Sequence, residues 1–312
     1  MEIHALTVGN LQIKNNVFLA PMAGYTDYSL RSLQLELGAG LVFTELVSAK
    51  GLTYGGNGSK DLLYSGKDVE NTAVQLFGAD EYYMRSACES EHLKDFDIVD
   101  INMGCPVPKV FKNGEGSALL LDIKKAEKIV KECVKSGKNI TVKIRIGQKR
   151  GDDVATDFAK MAENAGASLI TVHGRVREDY YSGEPNFDAI EKAKNAVKIP
   201  VIANGGIFTE QDANLMIDRT GADGIMLARG AIGDPFLVAR LTGKKTDLTL
   251  KEYIIKHVTR LSENIGDERA SVEFRKFVNY YFKGKLGVKQ LKNDLMSATS
   301  VQDIVELLDK NL

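Results

Sequence analysis

The 312-residue sequence is short of several things at once, and each shortage removes a class of protein. No run of about 18 apolar residues occurs, so a conventional membrane-spanning helix is excluded. The opening segment MEIHALTVGNLQIKNN lacks the basic stretch and apolar run of a secretory signal, so a cytoplasmic protein with no membrane partner is expected. Only three cysteines are present, Cys88, Cys105 and Cys133. Their number is odd and their spacing is unlike that of metal clusters, so neither a disulfide framework nor a zinc or other metal site is expected. A strong excess of one charge is also missing. The net charge of −1 excludes the indiscriminate grip of a very basic protein on nucleic acid, but not a local basic patch. No low-complexity tract and no repeat beyond a strand–helix period is present.

Core material, by contrast, is ample: 44% of residues are hydrophobic and 27% charged, the balance of an ordinary soluble protein. An α/β barrel takes roughly 250 residues, so one barrel plus a small appendage fits the length. Eight short β-branched segments recur, most closed by Gly or a small polar residue and followed by a helical pattern. They are NVFLAPM from Asn16, LVFTEL from Leu41, AVQLFG from Ala73, IVDINMG from Ile98, ITVKIRIG from Ile140, LITVHGR from Leu169, PVIANGG from Pro200 and DGIMLARG from Asp223. Alternation of strand and helix allows an open doubly wound sheet or a closed barrel. Eight units favour a (β/α)8 TIM barrel.

Between the strands lie amphipathic stretches. In DIKKAEKIVKECVKSG, residues Ile123, Ala126, Ile129, Val130 and Val134 fall at helical spacing. Asp122 and Asp152 stand where helix N-caps belong, and Gly137 and Gly166 where helices end. YGGNGSKDLLYSGKD, from Tyr54, is Gly-rich and reads as a loop. From about Thr242 strand signals stop, and TLKEYIIKHVTRLSENIG, SVEFRKFVNYYFKG and VQDIVELLDK read as helices. The expected division is a barrel over 1–241 and a C-terminal all-helical domain over 242–312. The tail carries 13 Lys/Arg against 10 Asp/Glu, about +3, and the remainder about −4.

Active sites of such barrels lie at the carboxyl ends of the strands. There the sequence offers Pro21, Met22 and Ala23, then Gln75, Asn102, Cys105, Lys143, His173 with Arg175, Asn204 with Gly205 and Gly206, and Ala228 with Arg229. The last two turns, NGG and ARG, read either as tight turns or as backbone donors for a phosphate. Alternation points Lys143 and Arg145 into the barrel and sends Ile140, Val142, Ile144 and Ile146 outward. The two cations then either pair with an internal carboxylate such as Glu45 or Asp100, or meet an electron-rich ring or phosphate. His173, at a strand end, has the position of a site residue. Cys105, between Gly104 and Pro106 in a loop past a strand, is a candidate proton donor. Cys88 and Cys133 lie in helical patterns and read as packing residues.

APMAGYTD, VQLFG, DINMGCPVPKV followed by GEGSALL, VKIRIG, TVHGR with YYSGE, IPVIANGG and MLARGAIGDPFL, in this order along residues 17–240, resemble the tRNA-dihydrouridine synthase family. The tail stretch EFRKFVNYYFKG is similar to that family's C-terminal helical domain. Two departures are visible, NGG where many relatives have NGD and ARG where GRG is commoner; neither removes a backbone donor.

The resemblance implies an FMN enzyme that uses NADPH to reduce uridine in tRNA to 5,6-dihydrouridine. Pro21, Met22 and Ala23 would line the flavin, Gln75 and Lys143 would meet its polar edge, and His173 would help to hold it. Asn204, Gly205, Gly206, Ala228 and Arg229 would bind its phosphate. Cys105 would give the proton. Asn102, Arg175 and Tyr181 are the substrate-side candidates. A base inside folded RNA must be flipped out to reach a barrel mouth. Arg275, Lys276, Lys283, Lys285, Lys289 and Lys292, interleaved with Tyr280 and Tyr281, are the candidate RNA-facing residues. A single-subunit protein is expected. The rival readings are a small-molecule flavin dehydrogenase on the same barrel and a non-catalytic RNA-binding protein; the basic tail argues against the first.

Overall fold

All eight β-branched segments become strands that close on one another, in a computed structural model that describes residues 1–55 and 62–312. A short antiparallel hairpin comes first, Leu6–Val8 (β1) and Leu11–Ile13 (β2). The barrel strands follow: Val17–Leu19 (β3), Leu41–Ser48 (β4), Thr72–Phe77 (β5), Ile98–Met103 (β6), Asn139–Arg145 (β7), Leu169–His173 (β8), Val201–Asn204 (β9) and Gly224–Leu227 (β10). Each pairs in parallel with the next, and β10 returns to β3. The strand positions agree with the sequence pattern because both faces of each strand are buried, which gives continuous β-branched runs.

Alternation divides the side chains between two cores. Outward residues, among them Val142, Ile144, Val172 and Leu227, pack against the surrounding helices in one extended cluster. Inward, a smaller cluster joins Phe18, Leu41, Phe43, Ala73, Ile98, Leu169, Ile202 and Met226 with Leu6, Val8 and Ile13. The hairpin therefore closes the amino end of the barrel. The sequence reading had not placed it, although Gly9-Asn10 between alternating residues is a hairpin signal. Gly9 is required there: its φ is +61°, and a Cβ would lie 1.8 Å from Asn139 Oδ1.

Several local expectations are corrected. Asp122 caps the helix Ile123–Val134 by accepting from the Lys125 N–H, as expected. The buried face of that helix, however, is Ala126, Ile129, Val130 and Cys133, with Val134 partly buried against the same core as expected and Ile123 left exposed. Asp152 caps nothing: the helix Ala155–Asn164 starts at Val154 without a side-chain cap. Asp152 instead accepts from the Gln148 and Lys149 N–H groups and ties the preceding loop. Residues 56–61 of the Gly-rich stretch expected to be a loop lie outside the described residues.

Beyond β10 the chain is helical. The helix Leu237–Thr242 runs across the 241/242 boundary, and four further helices follow, Leu250–Ile265, Asp267–Tyr281, Lys289–Ser297 and Val301–Asn311. The third of these was not expected, because only Leu291 and Leu295 of its residues are buried. The tail helices join the outer core through Tyr253, Phe274, Phe277 and Tyr281. Among the described residues no helix is long and apolar enough to cross a membrane.

Candidate active site

At the carboxyl ends of the strands lies a cavity of about 450 Å³. Its wall includes every residue expected from the sequence to serve catalysis, cofactor or substrate: Pro21, Met22, Ala23, Gln75, Asn102, Cys105, Lys143, His173, Arg175, Tyr181, Asn204, Gly205, Gly206, Ala228 and Arg229. These residues come from seven strands and are brought together only by barrel closure.

The cations are held by polar groups rather than by carboxylates. Lys143 donates to Asn204 Oδ1 at 2.9 Å, and Asn204 Nδ2 in turn donates to the Met226 carbonyl at 2.7 Å. Arg145 donates to the carbonyls of Gly104 and Val176. Among the described residues no ion pair joins either cation to a carboxylate, so the internal-pair alternative is corrected. Glu45 accepts from the Gly24 N–H. Asp100 accepts from Gln75 Nε2 and Thr141 Oγ1, both at 2.6 Å.

Burial acts on each of these groups through the cost of charge away from water. Lys143 is pushed down to about 7, by burial first and then by Arg145, with Asp100 opposing. Asp100 is pushed up to about 6 by burial, against its two hydrogen bonds. His173 is held well below its usual range by burial and then by Arg145, Lys143, Arg175 and Arg229. It is therefore a neutral imidazole at pH 7, able to accept from Arg175 Nη1, which lies 3.3 Å from its Nε2. Burial pushes the Cys105 thiol up, so the sulfur carries its proton at neutral pH.

One part of the wall gathers positive charge around an open backbone turn. Gly205 and Gly206 have φ of +116° and +74°. A Cβ on Gly205 would meet His173 Cδ2 at 2.7 Å and Arg175 Nη1 at 3.1 Å, which requires glycine there. Arg175 is fixed by donating to the carbonyls of Ser182 and Gly183. Tyr181, half exposed, lies beside Arg145 and Arg229, whose guanidinium carbons are 5.6 and 4.8 Å from its ring centre.

Sequence reading left Tyr25, Leu46, Val107 and Phe208 unremarked, and all line the cavity, together with Arg145, which alternation points into the barrel, and Tyr280, which was set among the RNA-facing residues. Tyr25 and Phe208 follow the APMAG and NGG turns closely, and that adjacency was the available signal. Tyr280 enters from the tail, where no local pattern announces it; its ring stands edge-on to Tyr25 at 5.5 Å.

The RNA-facing candidates divide. Lys283, Lys285 and Lys289 are exposed and Lys292 is half-buried. Arg275 is half-buried and donates to the Ala298 carbonyl at 3.0 Å, and Lys276 pairs with Glu273 at 2.7 Å. Tyr281 is corrected outright: it is buried, and its hydroxyl lies 2.6 Å from His257 Nδ1, so it faces no surface. Among the described residues no cluster of three His, Cys, Asp or Glu side chains could hold a metal ion.

Fold and cavity together define a (β/α)8-barrel protein with its site at the carboxyl ends of the strands, where active sites of this architecture lie. Solved structures of similar shape include histamine dehydrogenase from Rhizobium sp. 4-9, with a TM-score of 0.58 and 16% identity over 82% of this chain and 50% of that one. Morphinone reductase (its N189A mutant, in complex with tetrahydroNAD) superposes with a TM-score of 0.54 and 15% identity, over 77% of this chain and 90% of the other. At such identities they show the barrel alone. The sequence is more specific: residues 18–312 match the family described as dihydrouridine synthase (Dus). tRNA-dihydrouridine synthase B of Pasteurella multocida (strain Pm70) is 35% identical over 89% of this chain and 87% of its own. A probable tRNA-dihydrouridine synthase of Rickettsia prowazekii (strain Madrid E) is 37% identical over 89% of both chains. The chain belongs to the dihydrouridine synthase family.

Proposed function

We propose that this protein reduces uridine in tRNA to 5,6-dihydrouridine in the cytoplasm, with FMN held in the barrel cavity and NADPH as the source of electrons. The donor set suits that cofactor. Gln75 and Lys143 offer N–H groups to carbonyl oxygens on the edge of a flat ring, and Met22, Leu46 and Val107 offer apolar surface. Arg175 and Arg229 beside the Gly205–Gly206 turn suit a phosphate. Bound FMN, once reduced by NADPH, would supply hydride to carbon six of uracil.

The chain's own part is to position, to balance charge and to give one proton. Lys143 opposes negative charge on the ring edge, and an anionic ligand beside it draws its pKa back up. Asn102 uses its remaining N–H toward the pyrimidine edge. Cys105 gives its proton to carbon five, and the resulting thiolate lies within the field of Arg145. The observation that carries this reading is Cys105 itself: a buried thiol on the wall of a cavity otherwise furnished with cations and amides. Lys283, Lys285, Lys289 and Lys292 hold the RNA backbone while the target base is flipped.

The test is to load the protein with FMN and supply NADPH with unmodified tRNA or with free uridine. Dihydrouridine in digested tRNA, read by mass spectrometry, is expected, with the nucleoside turning over far more slowly. Comparable turnover of free uridine would favour a small-molecule reductase. Failure to bind flavin would remove the reading altogether.

A further inference from the structure

Four side chains from β5, β6 and β7, with the loop after β6, form one directed hydrogen-bond line. Asp100, fully buried, accepts from Thr141 Oγ1 and from Gln75 Nε2. Gln75 Oε1 accepts from Asn102 Nδ2 at 2.8 Å. Asn102 Oδ1 then accepts from the backbone N–H of Cys105 at 2.9 Å and of Gly104 at 3.3 Å.

The direction of this line is not arbitrary. An ionised carboxylate can only accept, whereas a carboxamide has one end that accepts and one that donates. Asp100 therefore demands the nitrogen end of Gln75, which leaves the oxygen end for Asn102. That oxygen demands the nitrogen end of Asn102, which leaves its oxygen for the backbone of the Gly104–Cys105 turn. Both lone pairs of Asn102 Oδ1 are then used, and each amide keeps one N–H. A flip of either amide sets like against like in a buried setting, where an unsatisfied polar group is costly.

We propose that Asp100 is a positioning residue for the reaction: it fixes the orientation of the Gln75 and Asn102 amides and, through them, the backbone that carries Cys105. This rests on the proposed role of Cys105 but concerns residues two links removed from it. Asp100 itself does not line the cavity. The line also accounts for a carboxylate so deep in the barrel, although among the described residues no cation lies within ion-pair distance of it and Lys143 acts on it only through its field. Its work is to orient, and charge neutralisation is secondary.

The closing experiment reads the Cys105 turn without flavin or RNA. Iodoacetamide is applied to the full chain, and alkylation of each cysteine is followed by peptide mass spectrometry; Cys88 and Cys133 lie buried in helices outside the barrel and serve as internal references. Gln75→Glu sets two acceptors face to face at Asp100, and should speed Cys105 alkylation about tenfold by freeing the turn. Asp100→Asn alone should change the rate less than about twofold, because Asn can accept from Gln75 and donate to Thr141. Added to Gln75→Glu it should bring the rate back to within about twofold of the natural protein, because the amide introduced at position 100 then donates to the new carboxylate and alternation is restored.

A second pair crosses a residue that neither member touches. Asn102→Asp forces Gln75 to turn its nitrogen away from Asp100, and Asp100→Asn accepts that reversed orientation. Asp100→Asn should therefore rescue Asn102→Asp too. A packing role for Asp100 predicts penalties that add in both pairs. Double variants no better than the singles, folded or not, would overturn the proposal; rescue in either pair upholds it. If the natural protein makes no dihydrouridine while rescue occurs, the functional reading fails and the positioning line stands; the converse separates them equally.

Discussion

The two ends of the barrel interior use the same eight strands for opposite purposes. Toward the amino ends the inward residues are Phe18, Phe43, Ala73, Ile98, Leu169 and Ile202, closed by the β1–β2 hairpin. Toward the carboxyl ends they are Gln75, Asn102, Lys143, Arg145, His173 and Asn204. Burying a large apolar side chain contributes roughly 1.5–3 kcal/mol, whereas each buried ion costs several kcal/mol before any partner is counted. The closed end therefore supplies the stability that lets the open end hold Lys143 away from water and, among the described residues, without a carboxylate at ion-pair distance. The difference teaches that this barrel's interior is graded along its axis, from packing to chemistry.

That gradient can be broken at either end. The largest effect is expected at the mouth: Cys105→Ala should lower dihydrouridine formation about 10²- to 10⁴-fold, the usual contribution of a general acid, while flavin binding and reduction by NADPH persist. Unchanged product formation would remove Cys105 from its role. At the closed end, Phe43→Ala should cost about 3–5 kcal/mol of stability, visible in the denaturation midpoint. Flavin affinity of the protein that remains folded should not change.

Lys143 sharpens the comparison through pH. Its folded pKa of about 7 lies below the usual 10.5, so the unfolded chain binds the proton more readily than the folded one between those values. Stability should climb as pH rises from 7 toward 10.5, with the penalty of burial fully present below 7. Lys143→Met should abolish that component, seen by comparing urea midpoints of the two proteins at pH 6, 8 and 10, and should weaken FMN binding about tenfold. Parallel midpoint curves for the two proteins would show that burial does not hold the lysine down.

The smallest effects belong to the tail surface. Replacing Lys283, Lys285 and Lys289 together by Ala should weaken tRNA binding and reduce its logarithmic salt slope by about 0.7–0.9 per lysine that meets a phosphate. Arg275→Ala should leave the slope alone, because that guanidinium serves the Ala298 carbonyl.

The gradient was partly legible before any coordinates. Strand ends could be found because a strand buried on both faces gives an unbroken β-branched run, and a Gly or polar residue marks where it leaves the barrel. The cavity set followed from those ends. What pairs with what inside the barrel did not follow, because inter-strand register is invisible in one sequence. Glu45 and Asp100 were both plausible partners for Lys143, yet register sets Lys143 opposite Asn102 and Thr171, and its amine reaches Asn204 instead. Tyr281 looked like Tyr280 in sequence, yet one residue's turn of the helix buries one ring and opens the other to the cavity. The helix Lys289–Ser297 escaped notice because two buried leucines are too few to establish a period.

Tyr280 has a consequence for how such proteins can be recombined. It arises from the helical tail, lines the cavity, and meets Tyr25 of the loop after β3 edge-on, beside Phe277. The tail is thus a piece of the cavity wall as well as the proposed handle for RNA. A chimaera that exchanged tails between relatives to redirect which uridine is chosen would also exchange one wall of the chamber, so Tyr25 and the aromatic pair facing it have to travel together.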